Sequence, residues 1–299
     1  MIHHSVVGVA RPNFLILTPL SVSLGVASVL LSGHPLEGGL LTAVILGAVM
    51  AHISVNALNE YADYQSGLDF KTDRTPFSGG SGTLVNNPDL APHARYIGVS
   101  SLALAIACGI YLVLNTGWGL LPIGLLGVLI IVFYTGWINK HRLLVLIAPG
   151  LGFGPLMVVG THYALTGVYD TTALILSLIP FCLVNNLLLI NQIPDIDADR
   201  SVGRDNYVIA WHPQKSAWIY AGFNLLAYTL LVISVITGLL PKAALVGLVP
   251  AIFSYQVFNS IKRYHGDTAK LIPYMGKNVI ITLATPALLF IGVVYHVQT

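Results

Sequence analysis

The chain has 299 residues, 55% of them hydrophobic and 9% charged, and its mean hydropathy is +0.78. A soluble domain carries about 25% charged residues, so this composition excludes a soluble globular protein, a disordered chain and a secreted disulfide scaffold. Lys plus Arg number 14 against 12 Asp plus Glu, a net charge of +2, far from the basic excess of a nucleic-acid binder. Cys108 and Cys182 stand far apart in apolar runs; with no zinc or disulfide spacing, they read as small core hydrophobes.

A bilayer core of ~30 Å needs about 20 mostly apolar residues per helix. In chain order, such runs cover roughly 14–32, 39–58, 97–115, 118–138, 143–165, 172–190, 217–239, 242–260 and 278–296. The first exceeds the roughly 7–15 residues of a signal-peptide core and reads as a helix of the mature protein. None alternates in polarity as the ~10-residue strands of a barrel do. The expected fold is all-α: a nine-transmembrane-helix bundle with a cytoplasmic-side cap of loops and short helices, in one domain spanning 1–299.

Basic residues set the orientation. If the N-terminus and the loops after the even-numbered runs share one side, that side holds Arg11, Lys71, Arg74, Arg95, Lys140, Arg142, Arg200, Arg204, Lys215, Lys262, Arg263, Lys270 and Lys277. The other side holds Lys242 alone. A split of 13 to 1 makes the first side cytoplasmic and places the C-terminus outside.

Eight of the twelve acids fall in two clusters on that same side. Glu60, Asp63, Asp69 and Asp73 follow the second run; Asp195, Asp197, Asp199 and Asp205 follow the sixth. Acids at the end of an apolar helix are expensive and usually functional. Asn56, Asn59 and Asp63 are spaced i, i+3, i+7 and share one helix face; Gly67 then ends or bends the helix, so that Asp69 can fold back toward Asp63. Asn191, Asp195 and Asp199 are spaced i, i+4, i+8 and again share a face, with Asp197 opposite them in solvent. Four runs separate Asn59 from Asn191, so the two segments run in the same direction. A weak parallel repeat is expected, about 11–138 and 143–260, with the ninth helix appended.

Carboxylates and amide oxygens are hard ligands suited to Mg²⁺, which takes one or two carboxylates, waters and substrate phosphate oxygens. Facing acids repel when empty; Mg²⁺ and a diphosphate would neutralise them. Lys71, Arg74, Lys140, Arg142 and Arg204 can hold the remaining phosphate oxygens. An apolar pocket open to the membrane would take a lipid tail. The expected ligand has a diphosphate head and a long lipid tail, and the expected surroundings are the lipid bilayer, with no nucleic acid.

These residues resemble the UbiA family of intramembrane prenyltransferases over nearly the whole chain. That family's first motif is N-D-x-x-D followed by a further Asp, matched by Asn59, Asp63 and Asp69; its second is D-x-x-x-D, matched by Asp195 and Asp199. Glu60 stands where the family has Asp, a conservative change that keeps a cation ligand on a longer arm. Asp69 lies six residues after Asp63, which resembles the MenA branch, the 1,4-dihydroxy-2-naphthoate polyprenyltransferases, rather than the 4-hydroxybenzoate branch. Asn56 before Asn59, the Asp73–Arg74 pair, the Gly79–Gly80–Ser81–Gly82 run and Gly203–Arg204 are similar to the same branch, and Ala10-Arg11-Pro12 is similar to the family's N-terminus. Two segments depart from the family pattern. Tyr134-Thr135 leads to Gly136-Trp137 and Lys140 instead of a Pro-Pro pair and Lys, and Asp205-Asn206 replaces a basic residue and Thr or Ser.

The resemblance implies Mg²⁺-dependent transfer of a polyprenyl group from a prenyl diphosphate to an aromatic acceptor, 1,4-dihydroxy-2-naphthoate in menaquinone biosynthesis. It implies Asp63, Asp69, Asp195, Asp199 and Glu60 as metal ligands, with Asn59 and Asn191 orienting them or making an outer contact. Lys71, Arg74, Lys140 and Arg204 would meet the diphosphate. Asn56, Tyr61 and Tyr134 would line the pocket, the tyrosine rings either facing an allyl cation or sitting at the membrane interface. Other acceptors of UbiA-type enzymes stay open: 4-hydroxybenzoate, a glycerol phosphate lipid, a chlorin, a carotenoid, or none in a prenyl diphosphate cyclase. A divalent-cation transporter is the alternative outside enzymes, although its acids belong near mid-membrane. No histidine pair has zinc spacing. His52 reads as a packed polar residue, Asn185 and Asn186 as helix cross-links, and Gly79–Gly82 as a flexible lid over the diphosphate.

Overall fold

In hydrocarbon every backbone N–H and C=O must be paired within its own segment, so uncharged runs of Leu, Ile, Val and Ala become helices. The computed structural model describes residues 6–299, leaving the first five residues of the expected domain outside the described part. Among the described residues there is no strand. The α-helices are α1 (Leu17–Leu31), α2 (Gly38–Ser66), α3 (Thr83–Asn86), α4 (Ala91–Thr116), α5 (Leu121–Phe133), α6 (Arg142–Leu151), α7 (Met157–Thr166), α8 (Thr171–Asn191), α9 (Ile196–Ser201), α10 (Tyr207–Ile236), α11 (Ser254–Tyr264) and α12 (Thr268–Gln298).

Each of the nine expected runs is helical, but two fall short as crossings. Among the described residues seven helices are long and apolar enough to span a membrane: Gly38–Ser66, Pro88–Thr116, Arg142–Thr166, Thr171–Asn191, Tyr207–Ile236, Lys242–Tyr264 and Thr268–Gln298. An eighth requires joining Val6–Phe14 to Leu17–Leu31 across a 47° bend. Arg11, inside the first piece, has a left-handed backbone at φ 49°, where a side chain is disfavoured. The fourth run holds the shorter helix Trp118–Phe133. Gly117, at φ 116°, separates it from α4, and a turn after Phe133 ends it. The chain is an integral, multi-pass, all-helical membrane protein.

α8 is the central post, with 72% of its apolar window buried inside the bundle; α1, α6, α7, α10 and α12 all pack on it. A Cβ at Gly154 would lie 2.5 Å from the Ser177 carbonyl, so glycine there is what lets the two backbones touch. Asn185 Oδ1 accepts from the Gly150 N–H at 2.7 Å, and Asn186 Nδ2 donates to the Tyr220 carbonyl at 2.9 Å. These are the expected cross-links. Both cysteines are free and buried.

Between α6 and α7 the Gly152–Leu156 stretch is wound as a wider π-turn. Pro155 has no N–H to give, and such bulges often mark functional sites. α2 packs along α4, whereas α5 touches α2, α4 and the π-turn only sparsely. The space left between them is a cavity of about 700 Å³, within the range of small-ligand sites.

Candidate active site

The polar end of this cavity is built where α2 and α8 stop. Gly67 caps α2 in the left-handed conformation (φ 76°), donating its N–H to the Asp63 and Tyr64 carbonyls. The following turn, Leu68–Phe70, returns Asp69 to the cavity, 4% exposed. Asn56, Asn59 and Asp63 all line the cavity, as their spacing predicts. Asn59 Nδ2 donates to Asp63 Oδ2 at 2.9 Å, and Thr135 Oγ1 donates to Asn59 Oδ1 at 3.0 Å.

The second motif is not one continuous helix. α8 ends at Asn191, and the chain turns through Pro194 before α9 begins at Ile196. A proline disfavours helix in the residue before it and has no N–H to offer. Asp195 and Asp199 are still neighbours, because the Asp199 N–H donates to the Asp195 carbonyl at 2.8 Å. Asn191, Asp195 and Asp199 line the cavity, and Asp197 is 95% exposed, paired only with Arg200.

Arg204 joins the two motifs. Its guanidinium binds Asp199 Oδ1 at 3.0 Å and also Asp63 Oδ1, 141 residues away in sequence. Burial disfavours its charge, but Asp63 and Asp199 outweigh that and raise its pKa. Asp69 and Asp195 lack such a partner. Burial, then Glu60 and Asp63, push Asp69 up to about 7. Burial and Asp199 push Asp195 up to about 7, against a backbone hydrogen bond from Gly79. Burial also raises Asp199, with Arg204 opposing. Among the described residues, the buried Oδ1 atoms of Asn191 and Asp195 have no hydrogen-bond partner.

Several expected site residues sit elsewhere. Glu60 is wholly buried and does not line the cavity. Its carboxylate accepts from Arg11 Nε (2.7 Å), the Ser81 N–H (2.7 Å) and Ser81 Oγ (2.8 Å). Being one residue past Asn59 turns it about 100° away around the helix. Tyr61, two residues past Asn59, packs into the Val9–Ala57–Leu84–Ala91–Ala94 core with Arg95 5.9 Å over its ring. Lys71 donates to Ser201 Oγ at 3.2 Å, tying the two acidic loops together on the surface. Arg74 donates to the Asp69 carbonyl at 3.3 Å. Lys140 is exposed beyond the turn that buries Asn139. None of Lys71, Arg74 and Lys140 lines the cavity, whereas Tyr134 does.

Two cavity residues were not among the expected site residues. Arg11 lines the cavity, its guanidinium anchored by Glu60. His52 lines it one turn deeper than Asn56. The glycine run is also more ordered than its composition suggests. Gly79, Gly80 and Gly82 have φ of 84°, 73° and 75°, Ser81 is fixed on Glu60, and a Cβ at Gly80 would lie 2.9 Å from Asp69 Oδ1. Gly79 and Gly80 both line the cavity, so the loop covers the acids.

At its other end the cavity is apolar. The lining residues exposed on the outer surface are Ile106, Ile110 and Leu114 of α4 and Trp118, Leu121, Gly124 and Leu125 on or just before α5. The cavity therefore opens sideways through the α4–α5 seam, toward lipid.

Among the described residues no three His, Cys, Asp or Glu side chains form a ready-made metal cage. The chemistry of the donor set still fits Mg²⁺: oxygen-only ligands in two small groups, unpartnered Asn191 and Asp195 oxygens, and raised carboxylate pKa values that a cation would relieve.

A buried acidic mouth thus meets an apolar cavity that opens toward lipid, in a chain built of membrane-spanning helices. The model of the UbiA prenyltransferase family matches residues 20–295, and the chain belongs to that family. It is 28% identical to the 1,4-dihydroxy-2-naphthoate octaprenyltransferase of Bacillus subtilis (strain 168) over 206 residues, 67% of this chain and 63% of that protein. In fold it is similar to a UbiA homologue from Aeropyrum pernix K1 in its apo form. That match has a TM-score of 0.72 at 18% identity and covers 93% of this chain and 97% of the other. A UbiA homologue from Archaeoglobus fulgidus bound to DMAPP and Mg²⁺ matches with a TM-score of 0.58 at 13% identity, over 95% of this chain and 98% of the other.

The electrostatics give a sign for stability. The pKa values of Asp69 and Asp195 lie above their ordinary 3.8 in the folded state. Stability is thus full below the unfolded pKa and falls as pH rises through about 7. With divalent cations removed at pH 8, Asp69→Asn and Asp195→Asn are expected to melt about 2 °C or more above the parent. Unchanged or lower melting temperatures would contradict the repulsion.

Proposed function

We propose that the chain transfers a polyprenyl group from a prenyl diphosphate to an aromatic acceptor, 1,4-dihydroxy-2-naphthoate, with Mg²⁺. The observation that carries this reading is the junction of two buried acid groups with an apolar cavity open to the bilayer. A diphosphate suits the first and an isoprenoid tail the second. A cation transporter has no use for so large an apolar chamber. The naphthoate rests on the Asn59–Asp63–Asp69 spacing and on the similarity to the Bacillus subtilis protein.

Asp63, Asp69, Asp195 and Asp199 would hold Mg²⁺, and Asn59 and Asn191 would orient those carboxylates. When bound, Mg²⁺ supplies Lewis-acid withdrawal of charge from the leaving diphosphate. Arg204 and Arg11 line the same chamber and stabilise the negative charge that grows as the allylic C–O bond breaks. The Gly79–Gly82 loop covers the head group and limits water. Tyr134, at the end of α5, presents a π face to the allylic cation. The electron pair of the new C–C bond comes from the acceptor ring; in the naphthoate the ring carboxylate leaves as CO₂ and its bonding electrons restore the aromatic ring. Tails longer than the chamber leave through the α4–α5 seam.

In alanine variants, Asp63→Ala and Asp195→Ala are expected to lower kcat at least about 100-fold, whereas Asp197→Ala changes it less than about two-fold because its side chain faces solvent. Steady-state prenyl transfer in detergent or nanodiscs measures this. Loss of activity in Asp197→Ala with Asp195→Ala intact would contradict the assignment.

The 13-to-1 split of basic residues further supports nine crossings with a cytoplasmic N-terminus and cytoplasmic acidic loops, and the two like-placed acidic motifs support two parallel halves. A cysteine introduced at Asp73 is expected to label only from the cytoplasm and one at Thr299 only from outside. Labelling of both from one side would require an even number of crossings.

A further inference from the structure

α2 presents a single polar row to the cavity. His52, Asn56, Asn59 and Asp63 are spaced i, i+4, i+7 and i+11, and all four line it. A rise of ~1.5 Å per residue sets His52 about 6 Å deeper than Asn56 and about 16 Å from Asp63 along the axis. The α2 residues around it that line the cavity, Ala48, Ala51 and Val55, are apolar.

The imidazole is held as a binding group is held. His52 is 5% exposed. Nδ1 is engaged by Thr18 Oγ1 of α1 at 2.8 Å. The ring packs edge-on against Phe153 of the π-turn, with centroids 4.8 Å apart and planes at 75°. Among the described residues Nε2 has no hydrogen-bond partner, and it is not sealed in protein. It faces the cavity that the residue lines.

An isoprenoid tail in that place would leave the nitrogen unpaired, which is unfavourable for a buried polar atom. A tail has a better path: the α4–α5 seam, whose lining carries no Asp, Glu, His, Lys or Arg. The chamber thus has an apolar side toward lipid, and deeper in its wall His52 offers a hydrogen-bonding group held by Thr18, with Thr161 also on the lining. We propose that His52 is the acceptor-binding residue: Nε2 hydrogen-bonds an oxygen substituent of the aromatic acceptor, and Thr18 and Phe153 fix the ring for it. A buried polar group of this kind also discriminates, since an analogue lacking the oxygen leaves it unpaired.

This inference rests on the prenyl-transfer reading, and the test separates the two. The full chain in nanodiscs is assayed with Mg²⁺, a polyprenyl diphosphate and 1,4-dihydroxy-2-naphthoate, with KM measured for each substrate and a melting curve for each variant. His52→Leu is expected to raise the acceptor KM roughly 10-fold or more and to leave the donor KM within about two-fold. His52→Gln, which restores a polar group of similar reach, recovers most of that loss. Thr18→Val, which leaves the imidazole present but unheld, raises the acceptor KM by a smaller factor, about three-fold. An unchanged acceptor KM in His52→Leu, or an equal rise for both substrates, overturns the proposal. If His52→Leu does not fold, an unchanged acceptor KM in Thr18→Val overturns it instead. A parent chain that cleaves the donor but prenylates no aromatic acceptor removes the acceptor reading and this proposal together. A parent chain that neither binds nor cleaves the donor removes the prenyl-transfer reading itself.

Discussion

Like charges held out of water at a cavity mouth are the constraint on which the rest of this molecule depends. Asp63, Asp69, Asp195 and Asp199 come from two distant parts of the chain and share one buried rim. Uncompensated, such a rim repels itself and drives its carboxylates toward the neutral form. Arg204 answers part of that repulsion by reaching from the second motif to Asp63 of the first. Asp69 and Asp195 are left with raised pKa values, a cost in stability that is useful only if a cation arrives.

The scaffold follows from keeping that rim in place next to lipid. α8 is enclosed on most of its surface and carries Asn185 and Asn186 as bonds to neighbouring backbone. It ends where Pro194 forces a turn, so the second motif stands at a fixed height. α2 ends at Gly67 at the matching place. Glu60 secures both the glycine loop, through Ser81, and the left-handed Arg11. Glu60, which resembles a fifth metal ligand, thereby ties the glycine loop to the Arg11 guanidinium. By contrast α5 is short and loosely packed, and its seam with α4 is where the chamber opens.

Much of this was readable from residue order, for identifiable reasons. Hydrophobic length marks helices because the bilayer has a fixed thickness, and all nine runs are helical. Helical spacing placed Asn56, Asn59 and Asp63 on the cavity wall, and Gly67 returned Asp69 to it. What spacing could not show was tertiary. Two of the runs fell short as crossings, the first because it joins the preceding helix only across a bend and the fourth because a turn after Phe133 ends its helix, and neither break has a compositional mark. Glu60 and Tyr61 sit next to the right residues but on other faces of α2. Lys71, Arg74 and Lys140 have the right charge near the right loops, yet Lys71 bonds Ser201 at the surface, Arg74 bonds the Asp69 carbonyl, Lys140 is exposed, and none of the three lines the cavity. Arg11, noted only in the charge split and the N-terminal Ala10-Arg11-Pro12 resemblance, and His52 gave no spacing that marks a site, because each is held by a distant partner, Glu60 and Thr18 respectively.

The central claim is that one chamber ionises a prenyl diphosphate and delivers the cation to an aromatic ring. Its most direct test is mass spectrometry of the purified chain incubated with a polyprenyl diphosphate, Mg²⁺ and a panel of aromatic acceptors including 1,4-dihydroxy-2-naphthoate. The expected result is a prenylated naphthalene product, released diphosphate and CO₂, all lost when EDTA replaces Mg²⁺. Diphosphate release with no product on any acceptor, or product formation that ignores EDTA, would contradict the account.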